Sequence, residues 1–214
     1  MIRYHGTAGQ SFGAFLTHGI TLDLAGDAND YVGKGMEGGR IVVRGFGERD
    51  EPVAGNACFY GARGGEGFIR GSAGERFGVR NSGAELVAEG AGDHACEYMT
   101  RGTAVILGQV GVNLASGMSG GVLYLAPGGR MDPTAHGLAF GPTECRPSAI
   151  TEHDPDAPAL RALLERHAGA TGSERARRLL AQWPHSLAEV LRVAVPVIAP
   201  ETPDTARVAT AAAT

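Results

Sequence analysis

The sequence predicts an all-β fold, a parallel β-helix wound as a single-stranded solenoid and followed by a short C-terminal α-helical segment. Two observations carry that expectation. Glycine accounts for 34 of 214 residues, about 16% against a usual ~7%, and all but Gly169 and Gly172 precede residue 150. Within this glycine-rich part a period is visible: Ile69, Val87, Val105 and Leu123 stand 18 residues apart, each in a short β-type run. Gly65 and Gly83, Gly74 and Gly92, Gly90 and Gly108, and Gly102 and Gly120 keep the same interval.

Weaker runs, Phe77-Gly78-Val79 and Asn113-Leu114-Ala115, lie between the main ones, so each repeat is expected to hold two or three short strands. Runs of this length with no helix between them cannot form β-α-β units, but they can form a coil. Each repeat is then one rung stacked about 4.8 Å from the next, with the aliphatic column inside. Gly65, Gly74, Gly83, Gly90, Gly92, Gly102, Gly108 and Gly120 are the expected turn glycines. The coil ends are open sheet edges that need covering, and the C-terminal helices are candidates for one cap. A barrel or sandwich would show longer alternating strands and hairpin dipeptides, which are sparse here.

The expected organisation is a β-helix over 1–150, a helical cap or arm over 151–200 and a disordered tail over 201–214. Leu160, Leu163, Leu164 and His167 fall on one helical face, and Leu179, Leu180 and Trp183 follow a Ser173 N-cap. After Pro184, Ser186 and Glu189 have capping-box spacing. Beyond Glu201, Pro, Thr and Ala dominate.

Hydrophobic residues make up 43% and charged residues 20%, with net charge -4, which fits a soluble globular protein and gives no reason to expect nucleic-acid binding. No apolar run is long enough to span a membrane, and the N-terminus lacks a signal-peptide pattern, so a cytoplasmic location is expected. Cys58, Cys96 and Cys145 are odd in number and widely spaced. Reduced, buried thiols are the expectation, not a disulfide framework, zinc knuckle or iron–sulfur cluster.

Gly33-Lys34-Gly35-Met36-Glu37-Gly38 matches a dinucleotide fingerprint, but a strand-like run, Ile41-Val42-Val43, follows where the fingerprint needs a helix. A β-helix corner is the expectation. Asp93, His94, Cys96 and Glu97 form the densest polar cluster, without a second cluster at ligand spacing. No catalytic or metal residue is assigned. Arg76, Arg80, Asn81, Asp93 and His94 are the candidate partner contacts. A β-helix enzyme would line up charged groups from rung to rung; counted in steps of 18, Asp93 follows Glu75, but the column continues only to Ala57 and Gly111. Glu48-Arg49-Asp50-Glu51-Pro52 interrupts the repeat as an expected solvated loop.

Several strings together are specific: Gly6-Thr7-Ala8-Gly9-Gln10-Ser11-Phe12-Gly13-Ala14-Phe15, Gly26-Asp27-Ala28-Asn29-Asp30-Tyr31-Val32-Gly33-Lys34-Gly35, Gly74-Glu75-Arg76-Phe77, Val79-Arg80-Asn81-Ser82-Gly83, Gly92-Asp93-His94 and Gly117-Met118-Ser119-Gly120-Gly121. Along nearly the whole chain up to about residue 200, the sequence resembles the C-terminal domain of the glutamate synthase large subunit. That resemblance implies a right-handed parallel β-helix with G-x-x-G-x-x-x-G repeats, met here at Gly64, Gly67, Gly71 and again at Gly71, Gly74, Gly78. It also implies a noncatalytic domain beside a glutamine amidotransferase domain and a domain with FMN and an iron–sulfur cluster, between which ammonia passes. Position 2 is Ile2, not the cysteine nucleophile of the amidotransferase, and cluster cysteines are missing. The implied arrangement is a scaffold subunit without cofactor, partnered by a class II glutamine amidotransferase subunit and an FMN-binding subunit that carries the cluster, as in the N-methylglutamate synthase type. A more distant resemblance is to the β-helical subunit of formylmethanofuran dehydrogenase. The competing readings are a stand-alone β-helix enzyme of the lyase or acyltransferase sort and a homo-oligomer stacked through its coil ends.

Overall fold

The computed structural model describes residues 1–46, 52–126, 128 and 140–196; the expected tail over 201–214 and most of the Glu48–Pro52 loop lie outside them. Seven strands stack in one parallel ladder: β1 (Ile2–His5), β2 (Thr21–Ala25), β3 (Arg40–Arg44), β5 (Glu66–Ala73), β6 (Ser82–Ala91), β7 (Arg101–Ile106) and β8 (Val122–Leu125), with β4 (Pro52–Ala54) paired to β5. The chain is a parallel β-helix of about six turns. Paired positions Ile2, Leu22, Ile41, Gly67, Leu86, Ala104 and Leu123 are separated by steps of 20, 19, 26, 19, 18 and 19. The longest step contains the Glu48–Pro52 interruption.

The uniform 18-residue period therefore needs correction, because side chains on a strand alternate between faces and a one-residue slip changes the face. Ile69 and Leu123 face the interior, packed with Leu24, Val43, Leu86 and Ile106. Val87 and Val105 face outward into a second apolar cluster. Register pairs Ile69 with Ala88, and Val105 with Tyr124. Two columns one residue apart thus build two cores, one inside the coil and one on its outer surface. Inside, Gly67 provides no side chain and the Phe59 ring occupies that space: a Cβ on Gly67 would lie 2.5 Å from the ring's Cε1.

The outer column, Val42, Phe68, Val87, Val105 and Tyr124, is covered by α1 (Ala157–Thr171) and α2 (Glu174–Ala181). Leu160, Leu163, Leu164 and His167 are buried there as the periodicity predicts. No side chain caps the N-terminus of α1, and a 15-residue helix is marginal alone, so burial of three leucines at about 1.5–3 kcal/mol each decides its stability. Arg166 anchors the same helix between Glu66 (2.7 Å) and Glu85 (2.6 Å). Ser173 does cap α2, its Oγ accepting from the Ala176 N–H at 3.1 Å.

Two C-terminal expectations are corrected. The helices do not cap the coil end; they lie on its side. The edge of β8 is covered by β10 (Leu191–Ala194), which pairs antiparallel with β8 and with β9 (Arg146–Ala149). Ser186 and Glu189 form no capping box: Ser186 donates to the Leu179 carbonyl at 2.6 Å, Glu189 pairs with Arg178, and residues 185–189 form a 3-10 turn. At the other end, among the described residues, β1 pairs only with β2 and is exposed throughout, with Ile2 and Tyr4 among the exposed apolar residues. No helix among the described residues is long and apolar enough to cross a membrane.

Candidate functional site

One wall of the coil is not a β-strand. The runs around Phe77-Gly78-Val79 and Asn113-Leu114-Ala115, expected as strands, belong to turns in which every second residue has positive φ. The series is Ser11, Gly13, Phe15; Tyr31, Gly33, Gly35; Ala57, Phe59, Gly61; Arg76, Gly78, Arg80; His94, Cys96, Tyr98; and Asn113, Ala115, Gly117. Twelve of these eighteen positions are not glycine, each costing about 1–2 kcal/mol in that conformation.

Hydrogen bonds offset the strain. In the fourth series the Arg76 N–H donates up to the Asp93 carbonyl (2.8 Å), the Gly78 N–H down to Cys58 (2.9 Å) and the Arg80 N–H up to Glu97 (2.8 Å). The next series repeats this, His94 to Val112 and Tyr98 to Ser116 upward, Cys96 to Phe77 downward. The N–H groups of the positive-φ residues are aimed at the rung above and the rung below in turn, so this wall is bonded in both directions without being a strand.

Side chains along this wall divide between the core and the surface. Cys96 and Cys58 point into the core, where burial pushes both thiols up to about 12; all three cysteines are free and buried, as expected. His94 stays at the surface with Nδ1 2.7 Å from a Glu97 oxygen, and Asp93 accepts the Val112 N–H at 2.9 Å. The Asp93–Glu97 cluster is thus split between two sides of the wall. Among the described residues no group of three or more His, Cys, Asp or Glu side chains converges as a metal site.

The column through Glu75 and Asp93 is longer than a constant step suggests. With the true register it runs Asp30, Asn56, Glu75, Asp93. Side-chain oxygens of Asp30 and Asn56 each accept the N–H of the next residue in the column at 2.8 Å. Beside this column a cleft of about 500 Å³ opens across three rungs, lined by Asp30, Tyr31, Lys34, Asn56, Tyr60, Glu75 and Arg76 together with Ala57. The Lys34 ammonium sits 5.2 Å from the Tyr31 ring centre.

Of the candidate partner contacts, Arg76 lines this cleft, and Arg80 lies nearby over the Tyr98 ring at 5.8 Å. Asn81 is withdrawn from the surface: it is buried, its amide donates to the Ala84 carbonyl, and its oxygen accepts the Gly83 and Ala84 N–H groups. Sequence reasoning passed over Asp30, Tyr31, Lys34, Asn56 and Tyr60; the irregular rung steps hid their alignment. The turn glycines also divide. Only Gly65 and Gly102 of the eight have positive φ. Gly83, Gly90 and Gly102 lie inside strands, while Gly74, Gly92, Gly108 and Gly120 sit where a neighbouring rung passes too close for a Cβ. The fingerprint-like Gly33-Lys34-Gly35 belongs to a wall turn and is followed by β3, not by a helix.

The family model for the GXGXG motif matches residues 1–196. Over 201 residues the chain is 47% identical to the glutamate synthase [NADPH] large chain of Bacillus subtilis, covering 90% of this chain and 13% of that one. It is 45% identical over 197 residues to glutamate synthase [NADH] of Schizosaccharomyces pombe, covering 90% and 9%. The chloroplastic ferredoxin-dependent glutamate synthase of Spinacia oleracea is 45% identical over 191 residues, covering 85% and 11%. The chain thus spans only about an eighth or less of the length of these relatives. On a match extending through the coil and both helices, this chain belongs to the GXGXG motif family and is homologous to the C-terminal region of glutamate synthase large chains.

Proposed function

We propose that this chain is a noncatalytic β-helical scaffold of a glutamate synthase-type assembly, holding a glutamine amidotransferase subunit and an FMN-dependent subunit in register so that ammonia passes between them. The observation that supports this most is the 47% identity to a segment forming 13% of a glutamate synthase large chain. The architecture suits the role. A coil bonded rung to rung on each wall, with two separate apolar cores, is a stiff spacer, and its exposed wall carries Tyr31, Arg76, Arg80 and Tyr98, residue types enriched at protein interfaces. In this reading the flavin and the iron–sulfur cluster reside on the partner, and acceptor choice is made there.

The test is affinity purification of the tagged protein from its own cell, with mass spectrometry and an absorbance scan of the eluate. Co-purification of an amidotransferase and a yellow flavoprotein is the expected result. A colourless chain recovered alone, or glutamine hydrolysis by the purified chain, would overturn it.

A further inference from the structure

We propose that the cleft across the second to fourth wall turns binds a small zwitterion of the α-amino acid class. Such binding does not depend on the scaffold role.

Four charged side chains line the cleft, the cations Lys34 and Arg76 and the anions Asp30 and Glu75. Among the described residues, several charges elsewhere are paired at short range, as in Arg40–Glu66, Arg166–Glu85 and Arg192–Asp156, while others such as Arg80 and Arg101 are not. These four form no ion pair with one another or with any other described residue. A lining of balanced sign offers no net attraction to a simple anion or a simple cation. It suits a ligand carrying both charges, with its carboxylate toward Lys34 and Arg76 and its ammonium toward Asp30 and Glu75.

The cleft is also preorganised. Tyr31 and Arg76 are held at φ of 64° and 63°, and their N–H groups are fixed by the Asn56 and Asp93 carbonyls at 2.8 Å each. One oxygen of Asp30 is held by the Asn56 N–H, which leaves the other for a ligand. Backbone locked in this way loses little further entropy when a ligand arrives. The cleft's ~500 Å³ lies in the ordinary range for small-molecule sites, with the Tyr31 and Tyr60 rings and the Ala57 methyl as its less polar surfaces.

Lys34 is the single lysine of the sequence, which supplies a probe inside the site. Reductive methylation of the full chain with ¹³C-formaldehyde labels Lys34 and the N-terminal amine, two signals in a carbon-edited NMR spectrum. The titrants are L-alanine and L-glutamine, with n-propylamine and propionate as single-charge controls, at constant ionic strength up to about 50 mM, which reaches millimolar affinities. The expected result is a saturable shift of the Lys34 signal alone, with each single-charge control at least about tenfold weaker. Asp30→Asn keeps an oxygen for the Asn56 N–H and is expected to weaken binding about tenfold without lowering the melting temperature, as is Arg76→Gln. Propionate binding as well as the amino acids would overturn the zwitterion assignment. A linear shift of both signals, or none, would overturn the site.

Discussion

Positive φ at non-glycine residues strains the backbone of the coil, and its cost can be read residue by residue. Ser11 is exposed at φ 61°. Ser11→Gly removes the crowding at Cβ, and the expected result is a gain of roughly 0.5–1 kcal/mol in urea unfolding. Gly102→Ala is the reverse case: φ is +86° and a Cβ would lie 2.5 Å from the Ala84 carbonyl oxygen, so a loss exceeding about 2 kcal/mol is expected in the same assay. Burial makes a second residue-level prediction. Cys58 and Cys96 are fully enclosed and their thiols are pushed up to about 12, so little thiolate forms near neutral pH. Native protein should leave a colorimetric disulfide reagent nearly unchanged, and denatured protein should titrate all three cysteines.

At the scale of elements, α1 and the sheet face beneath it share His167. Its ring is fully buried, 5.6 Å from the Phe68 ring centre in an edge-on arrangement, and neither ring nitrogen has a hydrogen-bond partner among the described residues. Burial pushes its pKa down from 6.5 to about 3. Between those values the unfolded chain binds a proton that the folded chain refuses, so stability falls as pH drops from about 6.5 toward 3 and is flat in this group above 6.5. The slope from one such group is at most about 1.4 kcal/mol per pH unit. His167→Leu keeps an apolar plug against Phe68 and is expected to remove that part of the acid sensitivity, measured as urea midpoints across the pH range. The periodicity Leu160, Leu163, Leu164, His167 located this face in the sequence, but not what it covers: the partner is a column of outward-facing β residues that begins at Val42, far back in the chain.

For the molecule as a whole, the two ends of the coil are unlike. The β8 edge is closed by antiparallel β10, whereas β1 remains an open, exposed edge. Cutting the chain after Thr151 would remove β10 and both helices, baring the β8 edge and the outer column Val42, Phe68, Val87, Val105 and Tyr124. An open edge beside an apolar face is an aggregation site, so the truncated protein should elute as soluble aggregates or precipitate while the full chain elutes as a discrete species in size-exclusion chromatography.

The glycine content, the recurrence of short β-type runs near 18 residues and the leucine spacing after residue 157 were enough to establish a coil of stacked rungs with helices behind it, because these are local signals. The resemblance carried by strings such as Gly26 to Gly35 pointed to the family in the same way. Register was not legible. A slip of one residue exchanges the inside and outside of a strand, and the rungs of 18, 19, 20 and 26 residues share no step that would reveal it. Nor was the alternating-φ wall, since twelve of its positions are occupied by residues that rarely adopt positive φ and are held there by bonds to neighbouring rungs. Asp30, Lys34, Glu75 and Arg76 meet in one cleft for the same reason: their proximity is set by how the rungs stack, a long-range property that no local pattern in the chain encodes.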